Sequence, residues 1–431
     1  MKRTLIVCLA SLCPLVASSA DLLGTYRRAV ANDAEFAAAQ AERLAGEERV
    51  VQARAGLLPD VALTGSAARN VAEPAGGPSD SFSSHAWRVQ LVQPLFRMQN
   101  VIAAQQGALQ TDLAGVRFGQ ARQDLILRVA QGYFGVLNAL DALDAVEQLR
   151  AAAAEQLEIA NTSFEVGTVT ITDVHEAQSR YDLAQAQVIA AEASLDVARD
   201  TLARIVGGEP GELARLRPGV GFAAPEPANA TSWAGVASES SLEVQVQLLQ
   251  QEIAAREVER ARAGHLPTLD LVASHGTSTR QTASLSPRTE TSSVGVQLNM
   301  PLYAGGRISS VSRETAALKV RADADLESAR RGSALAAREA YLGVSSGLAR
   351  IRALEAAEVS SLSALEANRL GYEVGVRINI DVLNSLTQLA ETRQELARAR
   401  YDTLLAQLRL KAASGALDET DLESINALLA R

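Results

Sequence analysis

The chain has 431 residues, a net charge of −9 from 41 basic and 50 acidic side chains, and only 4% aromatic residues. This acidic balance argues against a nucleic-acid-binding protein, and the 47% hydrophobic content argues against a disordered chain. A chain rich in Ala, Leu, Glu, Arg and Gln with so few aromatic residues is typical of long helices or coiled coils rather than of a compact α/β enzyme.

The first twenty residues have the pattern of a targeting segment. Lys2 and Arg3 provide a positive start, residues 5–17 form a short and mostly apolar run, and small residues follow at 18–20. This order predicts a secretory signal peptide over residues 1–20, cleaved after its last residue. The apolar run is too short for a spanning helix, which needs about 20 apolar residues.

Both cysteines, Cys8 and Cys13, lie inside this segment. The mature chain is therefore expected to carry neither disulfide bonds nor thiol chemistry. No other stretch approaches the length and apolarity of a spanning helix, so we expect any membrane insertion to use β-strands.

The mature chain contains an internal repeat. Residues 164–167 (Phe-Glu-Val-Gly) return 208 positions later as 372–375 (Tyr-Glu-Val-Gly), and residues 133–136 return at 341–344 with the same offset. A period of this length indicates a duplicated structural unit rather than a solenoid of short repeats. The predicted repeats are 21–206 and 242–414.

The first repeat opens with a predicted helix over Leu22–Gly56, which ends before Leu58-Pro59 because proline cannot continue a helix. Two segments with period-two alternation follow and predict strands near 60–72 and 85–94, each with one apolar and one polar face. The residues between them, 73–84, are rich in Gly, Pro and Ser and are predicted to form a loop.

A helical pattern then runs almost unbroken over 99–163. A helix of this length forms a rod of roughly 90 Å, which is too long for a globular core. Gly167 permits a sharp reversal after the rod. Residues 170–173 (Thr-Ile-Thr-Asp) resemble a helix-start box, and they open a predicted return helix over 170–206.

A proline-containing connector, 207–241, separates the repeats and is predicted to link them rather than to form a catalytic domain. The second repeat follows the same order as the first, and a short amphipathic tail closes the chain. The predictions are an opening helix over Leu242–Gly264, strands near 268–276 and 291–301 with a loop at Thr277–Glu290, a long helix over 308–371, a return helix over 379–414 and the tail over 415–431.

Residue types that could carry catalysis or bind a metal do not cluster in this sequence. The four histidines have no metal-ligand spacing with Cys, Asp or Glu. Gly305-Gly306 lacks the Lys-Ser/Thr of a phosphate loop, so a strand-to-helix bend is the favoured interpretation. We expect no enzyme activity, no metal and no cofactor. The predicted bends are Pro94, Pro301, Gly305 and Gly306.

Two strand pairs cannot close a membrane barrel alone, because unpaired strand edges are not tolerated in lipid and eight strands are the usual minimum. Oligomerisation removes this difficulty, and three chains of four strands would give twelve. The Ala-rich faces of the rods would then pack side by side. The strand count does not by itself select the number three.

Three motifs resemble those of the TolC-like outer-membrane channel family, which includes outer-membrane components of type I secretion and drug efflux. They are the strand-to-helix motif Gln297–Arg307, the Val-Gly reversals followed by Asp-Val at 173–174 and 381–382, and the closing segment Leu408–Leu417. The resemblance covers nearly the whole mature chain. It implies a mainly α membrane protein, a homotrimer whose long α-helical barrel is continuous with a twelve-stranded antiparallel β-barrel, and an equatorial collar built from 207–241 and the tail.

The resemblance also implies a closed periplasmic end that is held by a polar latch at the reversals. We expect Arg377 to pair with a carboxylate or carbonyl, and Tyr372 to donate to Asp173. Threefold repetition would make Asp381 a ring that attracts cations, and Asn384 stands where the family often has a second acid, which makes the constriction less negative. The predicted latch residues are Thr172, Asp173, Tyr372, Arg377 and Asp381, with Asn384 as their neighbour in the constriction.

For partners, the resemblance implies an inner-membrane transporter, ABC-type or proton-driven, and a periplasmic adaptor that dock on the helix tips. It places the protein in the outer membrane of a Gram-negative bacterium, in contact with lipid and with a large periplasmic part. The implied role is a conduit for type I protein secretion, multidrug efflux or both. The predicted docking residues are Val166, Gly167, Thr168, Val374, Gly375 and Val376.

Two other classes remain open from the residues alone. A periplasmic adaptor also has long helical hairpins, but it should carry a small β-rich domain split around one hairpin. A structural coiled-coil protein leaves the alternating segments unexplained. A plainer interpretation of the latch also remains, in which Asp173 and Asp381 are only helix-start carboxylates and Arg377 is a solvated charge.

Overall fold

The computed structural model describes residues 20–72, 75–76, 79–281, 285 and 287–430. The predicted signal peptide, with Cys8 and Cys13, lies outside the described residues except for Ala20. The described elements in chain order are α1 (Leu22–Asn32), α2 (Ala34–Ala55), β1 (Asp60–Ala72), β2 (Asp80–Phe96), α3 (Met98–Glu165), α4 (Ile171–Val206), α5 (Ala230–Ser240), α6 (Leu242–Arg262), β3 (Thr268–Gln281), β4 (Arg288–Asn299), α7 (Arg307–Glu373), α8 (Asn379–Ala413) and α9 (Glu419–Asn426).

The opening segment forms two helices where the sequence predicted one. Asp33 lies between α1 and α2 in an extended conformation, and its side chain accepts a hydrogen bond from the backbone N–H of Phe36 at 2.7 Å. Aspartate is favoured at this position because its oxygen satisfies one of the free N–H groups at a helix start. The helical periodicity of the sequence continues through this interruption and therefore does not reveal it.

The strands form one antiparallel sheet in the order β1-β2-β3-β4. They extend further than predicted, because residues assigned to loops join the ladder: β2 begins at Asp80, β3 continues to Gln281, and β4 begins at Arg288. Polar side chains pair across these extensions, as Asn70 donates to the Ser84 hydroxyl at 3.1 Å. Cross-strand pairs of this kind stabilise strands whose composition resembles that of loops.

The sheet has one apolar and one polar face. Neighbouring rows of the ladder alternate between the two faces, as the strand period requires. An apolar row contains Val61, Leu91, Ala273 and Val294, and the next row on the opposite face contains Ala62, Gln90, Ser274 and Ser293. The apolar face is open at its edges, where the exposed fraction of Leu63 is 71% and that of Val294 is 78%.

Four helices form two long hairpins. The 68 residues of α3 and the 67 of α7 make rods of about 100 Å, and each turns back into a helix of about half that length, α4 or α8. Within the protomer α3 packs along both α4 and α8, which holds the two hairpins together. Within the part of the chain that the structure describes, no helix has the length and apolarity needed to cross a membrane.

The main core lies midway along α3, where the connector and the tail wrap the rods. Tyr133 is fully buried there and donates from its hydroxyl to the carbonyl of Ala214 at 2.8 Å. The connector contains a helix, α5, which the prediction of a simple linker did not include, and the tail contains α9. Both segments also form short β-bridges, Ala20 with Leu213 and Leu216 with Leu429, so they belong to the packed middle of the molecule.

Candidate functional site

The two helix reversals lie at the same end of the hairpins, which we call the tip. The backbones are closely alike: Gly167 has φ 79° and Gly375 has φ 76°, a conformation that favours glycine. At each reversal a backbone N–H returns to the last helical turn, from Thr168 to Ser163 O at 2.9 Å and from Val376 to Gly371 O at 2.8 Å. The predicted docking residues Val166, Gly167, Thr168, Val374, Gly375 and Val376 are all exposed.

The first return helix, α4, begins with a built cap. Asp173 accepts hydrogen bonds on Oδ2 from the backbone N–H and the hydroxyl of Thr170, each at 2.8 Å. These bonds satisfy the helix start and place a negative charge at its positive end. Within the described residues, the carboxylate of Asp173 is therefore held by its own helix rather than by Tyr372. Thr172 is exposed beside it.

The second return helix, α8, begins differently. Its N-cap residue is Ile378, whose side chain forms no capping bond. The guanidinium of Arg377 instead approaches the carboxylate of Asp381, with Nη1 to Oδ2 at 3.5 Å. Arg377 also packs against the end of α7, where a side chain added at Gly371 would lie 2.7 Å from Arg377 Cγ. The absence of a side chain at Gly371 thus leaves room for Arg377 to pack against the end of α7.

Apolar contacts join the hairpins below the reversals. Tyr372 packs against a cluster that contains Leu365, Val382 and Leu386 and to which α3 contributes Leu149. A second cluster of Ala160, Ala177 and Leu383 joins α3, α4 and α8. Tyr372 therefore contributes to the tip mainly through packing in this arrangement.

A cavity of about 940 Å³ lies between the reversals. Three of the five predicted latch residues, Asp173, Tyr372 and Arg377, line it, whereas Thr172 and Asp381 do not. Its charged lining is mixed: the acids are Glu155, Asp173 and Glu373, and the bases are Arg369 and Arg377. The structure thus brings residues of both repeats around one polar space.

Asn384 has a hydrogen-bond partner, Arg180, that was not predicted from the sequence. Its Oδ1 accepts a hydrogen bond from Arg180 Nη2 at 2.9 Å, which joins α4 to α8. Arg180 lies seven residues after Asp173 and therefore on the same helix face, so helical periodicity could have singled it out. A second missed link joins α7 to α8, where Asn368 donates to the Ser385 hydroxyl at 2.7 Å.

The two strand-to-helix bends differ in structure. Gly305 and Gly306 have φ 60° and 81°, and Gly306 is the N-cap of α7, as a bend requires. Pro301 follows the end of β4. Pro94, in contrast, lies inside β2 at a shift in register, because this strand continues to Phe96. The turn into α3 comes at Arg97, whose Nε and Nη2 bind the buried carboxylate of Asp270 at 2.8 and 2.6 Å.

The sequence profile of a family described as outer membrane efflux protein matches residues 25–208 and 233–416, one match for each repeat. The chain is 32% identical over 411 residues to the outer membrane protein TolC of Vibrio cholerae, covering 94% of this chain and 93% of that protein. It is 34% identical over 417 residues to the alkaline protease secretion protein AprF of Pseudomonas aeruginosa, covering 94% and 86%.

Solved structures agree on the fold. The outer membrane protein VceC of Vibrio cholerae superposes with a TM-score of 0.78 at 18% identity, covering 91% of this chain and 96% of that one. The CmeC outer membrane channel of Campylobacter jejuni has a TM-score of 0.81 at 15% identity, covering 94% and 89%. The family resemblance predicted from the motifs is confirmed, as are the mostly helical fold, the internal repeat and the four-stranded sheet.

Proposed function

Because the chain belongs to the outer membrane efflux protein family, it is a channel of the Gram-negative outer membrane, and we propose that its tip is the regulated entrance. The observation that carries this proposal is the pair of matched reversals whose polar residues surround one cavity. Such an arrangement can hold the two hairpins together or release them.

We propose that three copies form the conduit. The sheet of one chain leaves the outer edges of β1 and β4 unpaired within the described residues, and its apolar face is exposed. Backbone groups in lipid must be hydrogen-bonded. Pairing of β4 with β1 of the next copy satisfies both edges and gives twelve strands, with the apolar face toward lipid and the polar face toward the lumen.

The latch that we propose acts at the second reversal. Exposed Arg377 and half-buried Asp381 form an ion pair at the start of α8, and Tyr372 packs against the neighbouring Val382 cluster. Thr172 and Asp173 lie in the first turn of α4, next to the first reversal, where a partner copy or a displaced α8 could bind them. In a trimer, Asp381 forms a ring of carboxylates, while Asn384, bound by Arg180, keeps that ring from becoming more negative.

The partners that we propose are a periplasmic adaptor and an inner-membrane transporter, ABC-type or proton-driven. They would dock on the exposed docking residues of the tip, and docking opens the entrance to the extent that the partner binds the open arrangement more tightly. Relatives are named for protease secretion, AprF and PrtF, and for efflux, BepC. We propose that this channel likewise passes secreted protein, small molecules or both, without catalysing a reaction.

The test is planar-bilayer conductance of the purified mature protein, with wild type compared to Arg377→Ser. We expect a small wild-type conductance that rises severalfold in the variant. The matched control is Arg398→Ser, which also breaks an ion pair between residues four apart. Arg398 pairs with Asp402 at 3.7 Å within α8, away from the tip, and this variant should conduct like wild type. Equal conductance in all three would move the latch elsewhere, and no conductance from inserted protein would contradict the conduit.

A further inference from the structure

Two buried polar side chains at the tip lack hydrogen-bond partners. Gln156 of α3 is 5% exposed and Asn379, the first residue of α8, is 3% exposed. Within the described residues, the unpaired buried side-chain atoms are Gln156 Oε1 and both carboxamide atoms of Asn379. Both side chains belong to the lining of the tip cavity. A buried amide without a partner loses its water and gains nothing in return, so it destabilises the arrangement that buries it.

Comparison of the two repeats shows that the burial of Asn379 is unusual. Its counterpart 208 positions earlier is Ile171, which is also the first residue of its helix. Ile171 is 47% exposed, whereas Asn379 is buried. The apolar residue therefore faces water and the polar residue faces protein, which is the reverse of what burial favours.

The neighbouring cap adds to this difference. Thr170 and Asp173 hold the start of α4, but the corresponding start of α8 has Ile378 and no capping side chain. A missing cap weakens the first turn of a helix. The start of α8 is thus weakened by its missing cap, and its packed position is destabilised by the buried amide of Asn379.

A molecule that enters the cavity does not remove this cost while α8 stays in place. The three polar atoms are buried from solvent, although both residues belong to the lining of the cavity. In this packing they have neither water nor a partner, and a movement of the first turn of α8 away from α3 would expose them to water. This cost favours a role in the movement of α8 over a role in binding a ligand at rest.

We propose that Asn379, together with Gln156, biases the tip toward the arrangement in which α8 has separated from α3. The inference rests on the proposed function, because it assigns the residues that set the balance of that entrance. Asn379 is a positioning residue in this scheme, since it acts through the placement of α8.

The experiment compares hydrogen exchange of the full trimeric protein for wild type and Asn379→Leu, whose side chain has the same branching and number of heavy atoms as asparagine but no polar atoms. We expect amides in the first two turns of α8 to exchange about tenfold more slowly in the variant, because the penalty for packing is gone. Gln156→Met should slow exchange in the same direction by a smaller factor. The matched control, Asn161→Leu, makes the same change at an exposed position of α3 near the tip and should leave exchange in α8 unchanged.

Conductance gives the second readout. In the Arg377→Ser background, adding Asn379→Leu should reduce the raised conductance severalfold. Exchange in α8 that is unchanged or faster in both Asn379→Leu and Gln156→Met would overturn the inference, even if the protein conducts. Absence of any conductance would instead contradict the proposed function, while the exchange rates would still decide the role of Asn379.

Discussion

Asp33, between α1 and α2, accepts hydrogen bonds on its two carboxylate oxygens from both terminal nitrogens of Arg128, at 2.9 and 3.0 Å, although Arg128 lies 95 residues further along the chain. The same carboxylate caps α2 through Phe36. One side chain thus interrupts the opening helix and fastens it to α3 near the middle of the molecule.

Replacement of Asp33 by Ala should lower the melting temperature of the protein by several degrees. The change removes a helix cap worth about 1 kcal/mol and charged hydrogen bonds worth about 2 kcal/mol. Asp124→Ala is the control, because Asp124 also binds Arg128, at 2.8 Å, but is mostly exposed and caps nothing. Thermal unfolding followed by circular dichroism measures both. A decrease in melting temperature for Asp124→Ala as large as that for Asp33→Ala would contradict the role of Asp33 as cap and partner of Arg128.

Stability should also depend on pH through Asp33. The hydrogen bonds from Arg128 hold the pKa of Asp33 below its usual value, against the opposing effect of burial. Because the folded pKa is lowered, the stabilisation is complete above the unfolded pKa of about 3.9 and is lost as the pH falls through the folded value. The difference in melting temperature between wild type and Asp33→Asn should be constant from about pH 7 to pH 5. This difference should shrink below about pH 4. A difference that grows there would show that the pKa of Asp33 is not lowered in the folded protein.

Replacement of Gly371 by Ala should raise the bilayer conductance, though by less than Arg377→Ser does. The added methyl group would lie 2.7 Å from Arg377 Cγ and would displace this side chain from Asp381. Gly343→Ala is the control on the same helix, because its methyl group would meet Ala406 Cβ at an ordinary 3.6 Å. Similar conductance in the two variants would show that the placement of Arg377 does not control the entrance.

Replacement of Asn384 by Asp should make the channel severalfold more sensitive to block by a trivalent cation. In a trimer the change adds three carboxylates close to those of Asp381, and a ring of carboxylates attracts cations. Arg180, which now donates to Asn384, would offset part of the added charge. Asn161→Asp adds the same charge at an exposed tip position and serves as the control for the general effect of charge. Block that is equal in the two variants would place the constriction away from Asn384.

Much of the architecture was predictable because it depends on local patterns. Gly167 and Gly375 mark the reversals through a backbone conformation that favours glycine, and Thr170 with Asp173 marks a helix start through bonds that span three residues. The strand ends were less predictable. The Ser- and Thr-rich residues after Gly276 resemble a loop by composition, and they become a strand only because another strand lies opposite them.

Sequence patterns were enough to predict the duplicated unit, the long rods, the two reversals and the family. Each of these depends on residues that are near one another or on motifs that recur at one offset. The packing of the helices was needed to show that Asn379 is buried while Ile171 is exposed, that Arg180 binds Asn384, and that Asp33 binds Arg128. Burial and pairing depend on which helix lies beside which. Two copies of one local pattern can therefore have opposite environments, because the start of α8 packs against α3 near Ala160 while Ile171 and Thr172 at the start of α4 are exposed.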